Sequence, residues 1–290
     1  MKKTLLLALA LLCAQARADI VLRDDTRTEV RLAAPARRIV SLAPNITEVL
    51  YAADAGDKLV GTVEFSDYPV AAKKLPRVGS YARIDIEAVA ALKPDLVLAW
   101  DSGNPPAGVA QLRKLGIPVF VTEPKTLNDI PRDIERYGRL AGTETTSLRA
   151  ADEFRRKLAA LHDRYAGRKP VRMFYEVWDE PLMTVNGKQI ISDVIRLCGG
   201  VNVFADLPAL APTVSVEAVL AANPDAIIAG GMGERNAGWL EPWKKWPRLK
   251  ATAQGNLFFI DPNLLQRHTP RLLDGAEQLC AVLEQARNKR

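Results

Sequence analysis

Glu87-Ala-Val-Ala-Ala-Leu-Lys-Pro-Asp-Leu-Val-Leu-Ala99 returns later in the chain as Glu217-Ala-Val-Leu-Ala-Ala-Asn-Pro-Asp-Ala-Ile-Ile-Ala229, with seven of the thirteen aligned positions identical. Each copy reads as a short helix with a glutamate in its first turn, a Pro-Asp turn, and an apolar strand opened by Asp95 or Asp225. A repeat offset by 130 residues in a chain of 290 predicts two similarly built lobes. Two such lobes leave a cleft between them.

Around the repeat, apolar runs of strand length alternate with helical patterns, which predicts α/β lobes with largely parallel sheets. The expected strands are 38–42, 59–63, 95–100 and 118–122 in the first half, then 171–178, 225–229 and 257–260 in the second. The expected helices include 45–53, 86–91, 106–115, 192–197 and 216–222. Leu148, Ala151, Phe154, Leu158, Leu161 and Tyr165 follow helical spacing across 143–168, with no Pro or Gly before Gly167. That pattern predicts one long amphipathic helix as a rigid spine, with small hinge motions rather than wide opening. The expected division is a leader over 1–18, an N-terminal lobe over 19–142, the connecting helix over 143–168 and a C-terminal lobe over 169–290.

The leader follows from Lys2 and Lys3, an apolar run from Leu5 to Cys13, and Ala16-Arg17-Ala18 as a small-x-small cleavage site. The run is too short to span a membrane. Cys13 also admits lipid modification, although Leu12 is bulky where a small residue normally precedes the modified cysteine. Cleavage predicts an exported protein with Cys198 and Cys280 as its two remaining cysteines. An even count in an oxidising compartment predicts a disulfide, closing a loop of about 80 residues and contributing about 4 kcal/mol; two buried free thiols are the alternative. The leader holds three of the 40 basic residues and none of the 34 acidic ones, so the mature charge is 37 − 34 = +3. That mild balance, without a basic block, argues against nucleic acid as a partner.

The candidate functional residues cluster at predicted strand ends. Ser41-Leu-Ala-Pro-Asn45-Ile-Thr-Glu48 places Pro44 and Asn45 where ligands of open α/β sheets gather, and reads locally as a helix cap with Asn45 and Glu48 three residues apart. Phe65, Tyr68, Tyr81, Trp100 and Trp178, five of only 18 aromatic residues, fall at strand ends or adjoining loops and suggest an apolar-faced cleft for a large flat ligand. Glu87 and Glu217 sit in first turns, which the helix dipole favours and which Asp85 and Ser215 cap; on two lobes they also offer paired negative contacts to a partner. Read as a catalytic pair they are too widely separated, since such carboxylates lie roughly 5–10 Å apart. His162 falls on the spine as a solvated residue, whereas Arg267 and His268 precede the last helix and can reach a ligand from the second lobe. Ligand spacing for zinc or manganese is missing, as are the G-x-S-x-G, H-E-x-x-H, P-loop and dinucleotide motifs, so neither a metal centre nor a catalytic cofactor is expected. Trp239, Trp243 and Trp246 read as a helix packed on the second lobe and stay outside the candidate site.

Across nearly all of the mature chain the sequence resembles the periplasmic substrate-binding proteins of ABC importers that carry vitamin B12 and ferric siderophores. The resemblance rests on Arg38-Ile-Val-Ser-Leu-Ala-Pro-Asn-Ile-Thr-Glu48, Phe65-Ser-Asp-Tyr-Pro69, Val78-Gly-Ser, the paired Pro-Asp passages, Cys198-Gly-Gly-Val-Asn-Val-Phe204 and Thr269-Pro-Arg271. Ser-Asp-Tyr-Pro, Ala-Trp100 and the Cys198/Cys280 pair resemble the B12 branch in particular. The resemblance implies two α/β lobes on one long helix, docking of Glu87 and Glu217 onto permease arginines, and aromatic walls at Phe65, Tyr81 and Trp100, with Arg267 as a basic pocket residue. Where that branch carries Trp, Tyr and Trp, this chain has Tyr81, Phe65 and, before the second repeat, Ala211, which leaves Trp178 as a candidate for the missing wall. The expected function is capture of cobalamin or a related corrinoid by a periplasmic monomer, for delivery to an inner-membrane ABC permease with its ATPase. One alternative is a ferric siderophore or haem contacted by His268, Arg267 and Tyr81; another is a periplasmic enzyme using a cleft glutamate.

Overall fold

A computed structural model describes residues 19–231 and 237–289. The leader reading and Cys13 lie outside the described residues. The chain opens with an antiparallel hairpin, β1 (Ile20–Arg23) and β2 (Glu29–Leu32), then builds the first lobe from β3 (Ile39–Ser41), α1 (Pro44–Ala52), β4 (Leu59–Gly61), α2 (Ile86–Ala91), β5 (Leu96–Trp100), α3 (Pro106–Lys114), β6 (Val119–Thr122) and α4 (Asp129–Ala141). After α5 (Glu144–Tyr165), the second lobe comprises β7 (Val171–Glu176), β8 (Trp178–Asp179), β9 (Leu182–Met183), α6 (Ile190–Leu197), β10 (Gly200–Asn202), α7 (Val216–Ala222), β11 (Ala226–Ala229), α8 (Lys250–Ala253), β12 (Leu257–Phe259), α9 (Pro262–Leu265) and α10 (Leu272–Asn288).

The two central sheets are parallel and equivalent, ordered β4-β3-β5-β6 and β10-β7-β11-β12. Each repeat strand therefore occupies the same interior place in its lobe. Strands β3, β6 and β11 are buried throughout, and β5 is buried except at Trp100, as expected for parallel strands covered on both faces. The Pro-Asp turn has a structural use in both copies. Asp95 accepts from the backbone N–H groups of Arg37 and Arg38 at 2.8 and 3.0 Å, and Asp225 accepts from that of Arg172 at 2.9 Å. In return Arg38 donates to Leu92 O and Lys93 O, and Arg172 to Ala222 O. Each lobe thus pins its repeat helix to the start of the neighbouring strand. Because the two aspartate side chains are engaged in these turns, the strands begin one residue later than the sequence suggests.

The spine expectation narrows to Glu144–Tyr165, bounded by α4, which ends on left-handed Gly142 (φ 73°), and by the turn before β7. Its buried stripe is Ser147, Ala151, Phe154 and Leu161. Leu148 is exposed instead, because Ser147 packs where Gly138 of α4 lacks a Cβ and so turns the neighbouring position outward. One apolar core runs from Leu50 and Leu140 in the first lobe, through Phe154 and Leu161 of the spine, to Tyr175, Ile195 and Leu279 in the second. Cys198 and Cys280 form a disulfide that joins α6 to α10 inside that core.

Two local readings are corrected. The predicted 171–178 strand stops at Glu176, because Val177 N–H bonds Met183 O and the chain folds into the β8–β9 hairpin, so Trp178 opens a hairpin rather than closing a sheet strand. The Asn45/Glu48 cap is also not formed: Pro44 takes the first helical position, Ala43 is the N-cap, and Asn45 and Glu48 are both buried. Asp85 and Ser215 do cap their helices, accepting from Ala88 N–H at 2.9 Å and Ala218 N–H at 3.2 Å.

Candidate functional site

The carboxyl ends of both sheets face one interlobe cavity of about 380 Å³. The first lobe lines it with Pro44, Asn45, Phe65, Tyr81 and Trp100; the second supplies Trp178, Pro262, Asn263, Gln266, Arg267 and His268. Eight of the nine ligand candidates read from the sequence therefore share one cavity. Tyr68 is not among its lining residues; its ring lies under the Arg271 guanidinium, 3.8 Å from carbon to ring centre, beside the cleft. Ala211 likewise does not line it, and Trp178 provides the indole on that side.

The walls are held from behind. Trp100 ends β5 and tilts against Tyr81 with ring centres 6.2 Å apart, while His268 meets it edge-on at 6.0 Å and 89°. Gly103 allows this placement, since a Cβ there would enter the Trp100 ring. Buried Asn104, which the sequence reading passed over, accepts from Trp100 N–H at 2.7 Å and donates to Leu42 O at 2.9 Å and Tyr81 O at 2.8 Å. One side chain thereby ties together two strand ends and the Tyr81 loop. Opposite, Trp178 donates to Glu180 O at 2.8 Å and is backed by Trp239, at 5.6 Å and 81°. Trp239 and Trp243 are buried behind this wall, and Trp243 Nε1 donates to Glu176 at 2.7 Å.

Phe65 differs from the other walls. The residue is 66% exposed, and its backbone occupies the left-handed region at φ 63°. For a non-glycine residue that conformation costs about 1–2 kcal/mol. An apolar ring held in the open on strained backbone contributes little to folding, which marks the position as one kept for contact.

Among the described residues, charges cross the cleft at one place. Glu48 of α1 accepts from Arg267 Nη1 at 2.9 Å and from Arg271 Nε and Nη2 at 2.9 and 2.7 Å. Arg267 Nη1 also donates to Asp67 at 2.6 Å. Burial opposes both ionised groups, yet the bond between them holds Asp67 below the usual carboxylate range, and its bonds to Asp67 and Glu48 raise Arg267. His268 is pushed down to about 4 by burial alone, so it is a neutral imidazole at neutral pH. Burial likewise drives Glu176 up to about 7, against the bond from Trp243.

Glu87 and Glu217 are exposed on the first turns of α2 and α7. Glu217 ionises more readily than an ordinary glutamate because its own backbone N–H and the Ser215 hydroxyl face it. A second groove, of about 560 Å³, follows the spine past Arg155, His162, Asp163, Asp193 and Arg196, away from the strand ends. His162 there is exposed, and among the described residues no three His, Cys, Asp or Glu side chains gather to hold a metal.

Two parallel α/β lobes on a long helix, closing on an aromatic cleft at their carboxyl edges, define a solute-binding protein. The family model described as "Periplasmic binding protein" matches residues 39–264, and the chain belongs to that family. A vitamin B12-binding protein of Vibrio cholerae is 40% identical over 256 residues, covering 88% of this chain and 92% of the relative. The crystal structure of the periplasmic vitamin B12 binding protein BtuF of Vibrio cholerae superposes with a TM-score of 0.82 at 40% identity, covering 87% of this chain and 98% of that one. The periplasmic heme-binding protein RhuT from Roseiflexus sp. RS-1, in its apo form, is more distant at 26% identity and a TM-score of 0.77, covering 87% of this chain and 99% of its own.

Proposed function

We propose that this chain captures vitamin B12 or a related corrinoid in the periplasm and delivers it, chemically unchanged, to an inner-membrane ABC permease and its ATPase. The observation that carries this reading is the cleft itself: Phe65, Tyr81 and Trp100 from one lobe and Trp178 from the other line one cavity together with the neutral polar groups of Asn45, Asn263 and Gln266. Aromatic faces suit the apolar surface of a large ring, and amide side chains suit a periphery of carboxamides. The relatives with the highest identity reported above, both described as vitamin B12-binding proteins, support the same cargo. Because both lobes pack on the spine core, the cleft is largely formed before the ligand arrives, which lowers the ordering cost of binding.

On this reading residues 1–18 are a cleaved leader, 19–142 and 169–290 are the lobes and 143–168 the connector of a monomeric carrier. Glu87 and Glu217 are the docking contacts for permease arginines. The neutral imidazole of His268 favours a second reading, in which the cargo is haem or a ferric chelate and His268 approaches the iron. Isothermal titration of refolded, ligand-free mature protein with cyanocobalamin, a ferric siderophore and haemin decides between them. Tight one-to-one binding of cyanocobalamin is expected; its absence, with binding of an iron compound, overturns the corrinoid reading.

A further inference from the structure

Tetrapyrrole cargoes differ less in their rings than in their edges. Haem carries two carboxylates, both ionised at neutral pH, whereas cyanocobalamin is neutral overall and rimmed with carboxamides. A cleft that is to hold two carboxylates needs unneutralised cations; a cleft for an amide rim needs none. Arg267 is the one charged residue among the described residues that line this cavity, and Arg271 lies directly behind it. Neither is a free cation. Glu48, its side chain only 2% exposed, takes three hydrogen bonds from the two guanidiniums, and Asp67 takes a fourth. The arginine side chains are themselves 15% and 20% exposed, so both cations and Glu48 are poorly hydrated, Asp67 closes the group from its half-exposed edge, and the four formal charges sum to zero. The exposed Lys73 adds a charge interaction with Asp67 that is smaller than those of Arg267.

We propose that Glu48 and Asp67 set the cargo specificity of the cleft, by neutralising Arg267 and Arg271 so that an uncharged, amide-rimmed macrocycle is accepted and a dianionic one is disfavoured. This rests on the corrinoid reading and adds the reason for it. Only Nη1 of Arg267 is engaged among the described residues, so its Nε and Nη2 hydrogens remain able to donate to a neutral carbonyl oxygen. A carboxylate arriving at the same donors meets Glu48 and Asp67 at close range and gains no net charge attraction. Glu48 and Asp67 are positioning residues, since they act through the arginines and do not line the cavity.

The test compares haemin with haemin dimethyl ester, which share a ring and differ in edge charge, on the wild type, Glu48→Gln and Asp67→Asn. Removing either carboxylate frees positive charge, so haemin affinity is expected to rise about tenfold or more, or to become measurable, while that of the ester stays put. A purely structural role would move both porphyrins together. Since Glu48 is buried and Glu48→Gln can fail to fold, Asp67→Asn, at a half-exposed carboxylate, decides alone in that event. Haemin affinity unmoved, in variants that melt as the wild type does, overturns the proposal. Cyanocobalamin titrated into the wild type separates the two claims: no binding there removes the corrinoid reading, while the haemin-to-ester comparison still judges the charge rule.

Discussion

Acidification should weaken this protein through His268 in a way that can be isolated and measured. The imidazole is buried against Trp100, and burial brings it down to about 4 from an ordinary 6.5. Above pH 6.5 it is neutral in both folded and unfolded chains and has no effect on stability. As pH falls from 6.5 towards 4 the unfolded chain takes up a proton that the folded one refuses, so stability is lost across that window. With these two values, linkage gives a loss of about 2 kcal/mol at pH 5 and roughly 3 kcal/mol below pH 4. The wild-type curve alone will not reveal it. Burial raises Glu176 to about 7 and Asp133 to about 6, so each takes up its proton more readily in the folded chain than in the unfolded one and adds stability as pH falls through its own range. They offset His268 over much of the same interval. His268→Gln removes one titration and leaves the other two, so the quantity to follow is the difference between wild type and variant in urea unfolding free energy at pH 7.5 and pH 5. The wild type should lose about 2 kcal/mol relative to the variant between those values. A difference independent of pH would refute the reasoning, because it would mean that the imidazole protonates as easily in the cleft as in water.

Phe65→Gly should stabilise the protein by about 1 kcal/mol, by relieving the left-handed backbone at φ 63°, while weakening corrinoid binding about tenfold through loss of the exposed ring. Melting and titration on the same sample read both, and unchanged affinity would remove Phe65 from the wall. Replacing Cys198 and Cys280 by alanine opens a linkage spanning 82 residues and should cost about 4–5 kcal/mol, read as a lower urea midpoint; an unchanged midpoint refutes that entropy argument. Glu87→Ala combined with Glu217→Ala should reduce uptake in cells at least about tenfold and leave cyanocobalamin titration unaffected. Full uptake would show that the glutamates are first-turn residues favoured by the helix dipole and nothing more.

Features written in short stretches of sequence were the legible ones. The repeat located β5 and β11, the spacing of Ala151, Phe154 and Leu161 gave the spine, and aromatic residues at strand ends and adjoining loops gave the rings that line the cavity. What escaped depends on partners far apart along the chain. Glu48 looks like half of a helix cap when only its neighbours are read, yet its partners Arg267 and Arg271 stand 219 and 223 residues away. Asn104 sits in an ordinary-looking loop and bonds a carbonyl 62 residues earlier. The α4 helix carries Pro131 near its start, where the first turn tolerates a residue without an N–H. Hairpin β1–β2 was also missed; it is anchored by Asp25, which accepts from Arg132, Arg136 and the backbone N–H of Glu123, all about a hundred residues on.

The frame is symmetric and the cleft it carries is not, and that contrast separates the two tasks of a carrier. Asp95 and Asp225, with Arg38 and Arg172, fix the repeat helices in equivalent places, so the first turns bearing Glu87 and Glu217 project alike from both lobes. In a parallel α/β lobe, helix N-termini and strand carboxyl ends share one edge, so the proposed docking carboxylates stand on the same side as the cavity mouth. The cavity draws differently on its lobes: the first gives mainly rings, the second mainly hydrogen-bonding groups from the segment between β12 and α10. The proposed docking can therefore remain a two-point grip that is insensitive to cargo, while cargo choice is adjusted in loops the repeat does not constrain. On the proposed docking, a permease that grips both glutamates meets the protein on its cavity side, where the ion pairs of Glu48 with Arg267 and Arg271 bridge the two lobes.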